Sequence, residues 1–214
     1  MKVLDKNLKH NIHNLFMCPV YYTYLEKENF LNETQSINLK LLKNYVFSIK
    51  KKSKGRVKSN LGGWQSFDVK LDEPVLKNLN NAILERAKVF ADSLFFKKNL
   101  SVVFTNAWFN INDYGHSNMD HIHPGSQLSG VFYLQTSKDT GGIVFNSNNN
   151  NIEYDWTENL IEKYTEWNSA SYIELADTMK LFLFPSWLRH RVETNLDKKI
   201  SRISYSFNLN LVNN

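Results

Sequence analysis

The sequence predicts a mainly β protein with flanking helices, a jelly roll in which two sheets face each other around a central cavity. Three observations predict it. Beyond the Lys97-Lys98-Asn99 break, short β-patterned runs follow one another with turn signals between them, at 101–111, 118–123, 128–135, 142–146, 170–175, 180–184, 190–194 and 200–212. Ahead of that break the apolar residues are spaced for helices. Fourteen Phe, ten Tyr and five Trp, against only eight Gly and four Pro, suit a β-rich core lined with rings. A chain of 214 residues has room for one such domain with a sizeable core. The expected organisation is a single domain, 1–214, with a strand and helices within 1–100 buttressing a β core at 101–212. No internal repeat or linker interrupts it.

Taken in order, residues 14–25 (NLFMCPVYYTYL) read as an opening strand, with Pro19 at an edge or at the strand start. Residues 26–50 carry apolar positions from Phe30 and Leu31 to Ile49, and from Ile37 onward their spacing is helical. A basic stretch follows, Lys50-Lys51-Lys52-Ser53-Lys54-Gly55-Arg56-Val57-Lys58, and then SNLGGWQS at 59–66. There the paired glycines imply a turn, and Trp64 is either a ring plugging the core or a pocket wall. From Glu73 to Phe96 a second helix is expected, with Pro74 in its first turn and Leu76, Leu79, Ile83, Ala87, Phe90 and Leu94 on a face that should lie against a sheet.

Composition excludes several classes. With 42% hydrophobic and 22% charged residues the chain is globular rather than disordered. No apolar run approaches the ~20 residues that span a bilayer, and the opening MKVLDKNLKH has no uninterrupted apolar segment, so a soluble, unexported, cytoplasmic protein is expected. One cysteine, Cys18, excludes an intrachain disulfide and reads as a buried structural thiol. The net charge of +5 owes much to the 50–58 run. Such a run can meet phosphates, but a solvated basic loop is the commoner explanation, and nucleic acid is not the expected partner. Asn146 and the run 148–151 reflect a compositional bias.

The chemistry centres on Met119-Asp120-His121-Ile122-His123-Pro124-Gly125. On an extended strand successive side chains alternate, so His121 and His123 project from one face while Ile122 packs behind them. Two imidazoles then converge on one point, either as a solvated pair or as two ligands of a metal that needs a third group from a neighbouring strand. His190, which follows the proline-broken strand Met179–Trp187, is the candidate for that group.

The last strand alternates strictly. Arg202, Ser204, Ser206 and Asn208 share one face, while Ile203, Tyr205 and Phe207 share the other. An arginine turned into a barrel is costly unless it meets an anion, and its planar fork suits a carboxylate, with Ser204 adding a donor. Alternation leaves a second possibility open, that the polar face is simply the solvent face.

The order HxH, LSGVFYL, Gly-Gly before a strand, LFPSWLRHRV and RISYSFN resembles the iron(II)- and 2-oxoglutarate-dependent oxygenases. More closely it is similar to a small oxygenase group of marine bacteria and their phages, whose likeness also takes in SNLGGWQS and so runs from about Ser59 to Asn208. The resemblance implies a double-stranded β-helix, the cupin-like variant of the jelly roll, with Fe(II) and the cosubstrate 2-oxoglutarate in its mouth and O2 as oxidant; for a phage-encoded chain the compartment is the host cytoplasm. It implies a dioxygenase that hydroxylates a substrate as 2-oxoglutarate is decarboxylated to succinate and CO2; the primary substrate is left open. The family's metal histidines fall on His121 and His190, and its arginine and serine, which hold the distal carboxylate of 2-oxoglutarate, fall on Arg202 and Ser204. Where most members have a carboxylate two residues after the first histidine, this chain has His123. The third ligand is then His123, Asp120 or water, and His123 is preferred because Asp120 should point to the opposite face. Trp64, Asn106, Tyr133 and Trp187 are expected to line the cavity. The alternative is a catalytically inactive cupin-like module that binds a metal or ligand.

Overall fold

The computed structural model describes residues 17–25, 37–147, 155–165 and 167–213. Residues 14–16 of the opening run, Phe30, Leu31 and the asparagines 148–151 lie outside them. The described chain forms β1 (Tyr21–Tyr24), α1 (Leu39–Lys52), β2 (Asn60–Leu61), β3 (Trp64–Gln65), α2 (Lys77–Ser93) and β4 (Leu100–Asn112). It continues with β5 (Ser117–His121), β6 (Leu128–Gln135), β7 (Gly142–Asn146), β8 (Ser171–Leu175), β9 (Lys180–Pro185), β10 (His190–Val192) and β11 (Arg202–Asn213). A six-stranded sheet in the order β1-β9-β6-β11-β4-β3 faces a five-stranded sheet in the order β2-β5-β10-β7-β8. Every one of these pairings is antiparallel.

Both helices start where local chemistry starts them. The side chain of Asn38 caps α1 by accepting the Leu41 N–H at 3.1 Å, and Lys50, Lys51 and Lys52 occupy its last turn, where cations meet the negative end of the dipole. A 3-10 turn at Pro74–Leu76 leads into α2, so Pro74 sits where no N–H is required. The buried faces, Leu42 and Val46 on α1 and Leu79, Ile83 and Phe90 on α2, join Phe109, Ile111, Phe132, Tyr205 and Phe207 of the six-stranded sheet in one apolar cluster. Tyr205 resolves its phenol by donating to Asn80 Oδ1 at 3.0 Å. A second cluster, Val131, Tyr133, Phe182 and Phe184 against Ile143, Phe145 and Leu188, fills the space between the sheets.

The six-stranded sheet is therefore buried on both faces. The alternation of β11 is a division between two interiors: Ile203, Tyr205 and Phe207 meet the helices, and Arg202 and Ser204 are buried on the side facing the other sheet. The polar face is not the solvent face. Gly130 of β6 marks how tightly this layer closes, because a Cβ there would meet the Phe207 ring and lie 2.6 Å from the Phe182 carbonyl oxygen.

Four local expectations are corrected. The SNLGGWQS stretch is more than a turn: β2 belongs to one sheet and β3 to the other, and the chain crosses between them through Gly62 and Gly63, both at positive φ (+65° and +67°). A side chain at Gly62 would overlap the His116 ring, so the crossing requires glycine. The strand expected over 118–123 ends at His121, and Ile122 does not pack behind the histidines but is 40% exposed. Cys18 is exposed, because it precedes β1 at the margin of its sheet instead of lying between layers. Pro19, just ahead of this edge strand, is where the missing N–H costs no ladder bond. No helix among the described residues is long and apolar enough to cross a membrane.

Candidate active site

The jelly-roll topology brings His190 of β10 directly opposite His121 of β5. His123, two residues beyond, leaves the strand and is held separately: its N–H donates to the Ser186 carbonyl at 2.9 Å. The three rings lie with centroids 4.3–5.0 Å apart, and their ligand nitrogens all fall within 4.8 Å of one another.

Each imidazole is oriented through Nδ1. His121 contacts the Met119 carbonyl at 2.7 Å, His190 the Leu188 carbonyl at 2.8 Å, and His123 the Asn208 Oδ1 at 2.5 Å. Carbonyl oxygens only accept, so all three rings carry their proton on Nδ1 and turn an unprotonated Nε2 toward the common point. Burial keeps them neutral. It lowers the pKa of His121, brings His123 down to about 4 and brings His190 down to about 3, with the neighbouring imidazoles pressing the last two in the same direction. Three neutral nitrogens so arranged could hold a transition metal ion such as Fe(II). Asp120 is not part of it. Its carboxylate faces outward, accepting from Asn146 Nδ2 at 2.7 Å and Arg189 Nη1 at 3.2 Å.

Farther along the same cavity lies a second polar centre. Arg202 is 1% exposed; Nη1 donates to the carbonyls of Thr140 and Glu193, the latter at 2.9 Å, and Nη2 has no partner among the described residues. On the adjacent strand β6, Tyr133 is equally buried and its hydroxyl also has no partner among the described residues. Burial pushes that phenol up to about 12, so it remains a donor, and desolvation lowers the Arg202 pKa. Ser204, paired in register with Tyr133, accepts from Asn110 Nδ2 at 3.4 Å and keeps its own proton free to donate. Two buried, unsatisfied donors beside the Ser204 hydroxyl are costly in an empty interior, and an anion with several oxygens satisfies all of them. A terminal carboxylate fits this donor set.

The cavity is lined by His121, His123, His190, Tyr133, Arg202 and Ser204, together with an amide wall of Asn110, Asn112 and Asn118 and an apolar floor that includes Val131, Ile143 and Phe184. Trp64, Asn106 and Trp187 lie outside the lining. The Trp64 indole N–H donates to Ser53 O at 3.0 Å and its ring packs in the helix-side core, while Trp187 is 52% exposed because Leu188 takes the buried position in that turn. Asn106 stands one step behind the site, hydrogen-bonded to Asn208. Asn208, Asn110 and Trp108 were not singled out as site residues from sequence. The signal available for Asn208 was its place on the Arg202 face of β11, six residues on.

The comparisons agree with this geometry. Residues 106–208 match the family described as "Putative 2OG-Fe(II) oxygenase". The fold is shared with a Pseudomonas putida prolyl-4-hydroxylase, at TM-score 0.60 and 12% identity over 90% of this chain and 92% of that one. The α-ketoglutarate-dependent carbocyclase SnoK of nogalamycin biosynthesis gives TM-score 0.59 at 9% identity, over 90% and 81%. A Trichoplax adhaerens prolyl hydroxylase gives 0.51 at 15%, over 88% and 83%. No curated protein matches the sequence. The matched segment begins in β4 and ends on Asn208, spanning the three histidines and the arginine, so this stretch of the chain is similar to the 2-oxoglutarate- and Fe(II)-dependent oxygenases, and the solved structures share its fold.

Proposed function

We propose that the chain is a dioxygenase that hydroxylates a substrate C–H bond while 2-oxoglutarate is oxidatively decarboxylated to succinate and CO2. In this reading His121, His123 and His190 hold Fe(II) through Nε2, and Arg202, Tyr133 and Ser204 hold the distal carboxylate of 2-oxoglutarate. Bound iron supplies the O2-activating redox chemistry. The chain's own tasks are to present three neutral nitrogens, to fix the cosubstrate by its far end, and to keep water from the reacting centre with Val131, Ile143 and Phe184. One observation carries the reading: three converging imidazole nitrogens and two orphaned carboxylate donors occupy a single cavity.

Tyr133→Phe tests it with the least disturbance, because the hydroxyl it removes has no partner among the described residues. A hydrogen bond to a charged group contributes about 1.5–3 kcal/mol, so 2-oxoglutarate affinity, measured calorimetrically with a divalent metal present, should fall about 10- to 100-fold. Thermal stability of the unliganded protein should be unchanged or slightly raised. Wild-type affinity in this variant would remove Tyr133 from the cosubstrate site.

A further inference from the structure

The ligand-side polarity of His123 is fixed by residues well behind it. Asn208 Oδ1 receives both the His123 Nδ1–H at 2.5 Å and the Ser129 hydroxyl at 2.7 Å. Its Nδ2 donates to Asn106 Oδ1 at 2.9 Å, Asn106 Nδ2 donates to Asp68 Oδ2 at 3.4 Å, and the other Asp68 oxygen is paired with Arg56 at 2.6 Å. Amide groups can be turned either way, so the direction of such a chain needs an anchor. Asp68 supplies it. An arginine-paired carboxylate only accepts, so Asn106 must present its NH2 to Asp68 and its oxygen to Asn208. Asn208 must then present its NH2 to Asn106 and its oxygen to His123. With an acceptor at Nδ1, His123 must carry its proton there and leave Nε2 bare. The second branch closes on the same residue: Arg56 stands over the Trp108 ring at 5.8 Å, and Trp108 lies 5.6 Å from the His123 ring, centroid to centroid.

We infer that Asn208 and Asn106 are positioning residues, and that Asp68, paired with Arg56, sets through them the tautomer and ring orientation of the third metal ligand. The inference rests on the proposed iron-binding reading but is measurable without it. It also explains why a histidine is tolerated where the family has a carboxylate: the oxygen of Asn208 faces this position, welcoming an N–H and opposing a carboxylate. The relay carries direction rather than charge, because two neutral amides separate Asp68 from the imidazole.

The test is ring 15N NMR of the metal-free protein, paired with chelator-competition titration of Co(II), for wild type, Asn208→Ala, Asn208→Asp and Asp68→Asn. Wild type should show His123 as a single Nδ1–H tautomer. Asn208→Ala should show mixed tautomers and about 10- to 100-fold weaker Co(II) binding. Asn208→Asp, which still accepts, should restore both, and Asp68→Asn, whose amide can donate or accept, should loosen the tautomer while keeping the fold. Asn208→Ala or Asp68→Asn with an unmixed Nδ1–H tautomer and wild-type Co(II) affinity would overturn the inference. A wild-type protein that binds no Co(II) would instead overturn the metal reading, and the tautomer measurement would still decide the relay.

Discussion

Arg202 and Tyr133 keep donors unsatisfied at a cost in stability, and on the opposite face of β6 Gly130 leaves equally little room for change. Gly130 precedes Val131 and Tyr133 on β6 and lies against Phe207 of β11, so a methyl group there has backbone on one side and a ring on the other. Overpacking of this kind costs about 1–3 kcal/mol, which corresponds to a drop of about 2–4 °C in Tm for each kcal/mol in a chain of this size. Gly130→Ala should show that drop in a thermal melt, whereas Gly125→Ala, in open space at φ +86°, should lose only what the backbone strain takes. At this scale the sequence was legible in part. Alternation on β11 separated a polar face from an apolar one but left open whether the polar face met solvent, and Arg202 and Ser204 are buried on the cavity side. Asn208 was not legible as a partner of His123, since an asparagine among many asparagines carries no signal until its neighbours are known.

Among the elements, the runs that became β6 and β7 could be read to the residue because each is bounded by turn chemistry and is buried up to its last residue. The end of β5 could not. Pattern alone extends the strand through His123, but Ser186 takes the His123 N–H and the chain peels away, so the third imidazole is aimed by a loop contact and by Asn208 rather than by strand alternation. Likewise β2 and β3, two residues each, are too short for periodicity to register, and only the sheet assignment shows that Gly62 and Gly63 carry the chain from one sheet to the other. Trp187 was misplaced, and Trp64 was left between core and cavity wall, for a related reason: a tryptophan next to a motif gives no indication of which side of the layer its ring takes.

For the whole molecule, one buried and two half-buried neutral histidines tie stability to pH. Their native pKa values lie below the unfolded value of ~6.5, so the unfolded chain takes up protons first as the solution is acidified. The stability they contribute is complete above that value and is lost as pH falls toward about 4 for His123 and about 3 for His190. Melting of the metal-free protein should therefore fall by several degrees between pH 7 and pH 5, and His190→Gln should flatten part of that slope; a wild-type Tm equal at both pH values would contradict neutral burial of the cluster. The central claim is that one cavity holds both the iron and the cosubstrate. Its most direct measurement is anaerobic addition of Fe(II) and 2-oxoglutarate to the folded protein, followed by visible absorption. A weak charge-transfer band requiring both additions is predicted, with Tyr133→Phe needing more 2-oxoglutarate to reach it. A folded wild-type protein that shows no band with both in excess would contradict the account and leave the jelly roll as a binding module without the oxygenase chemistry.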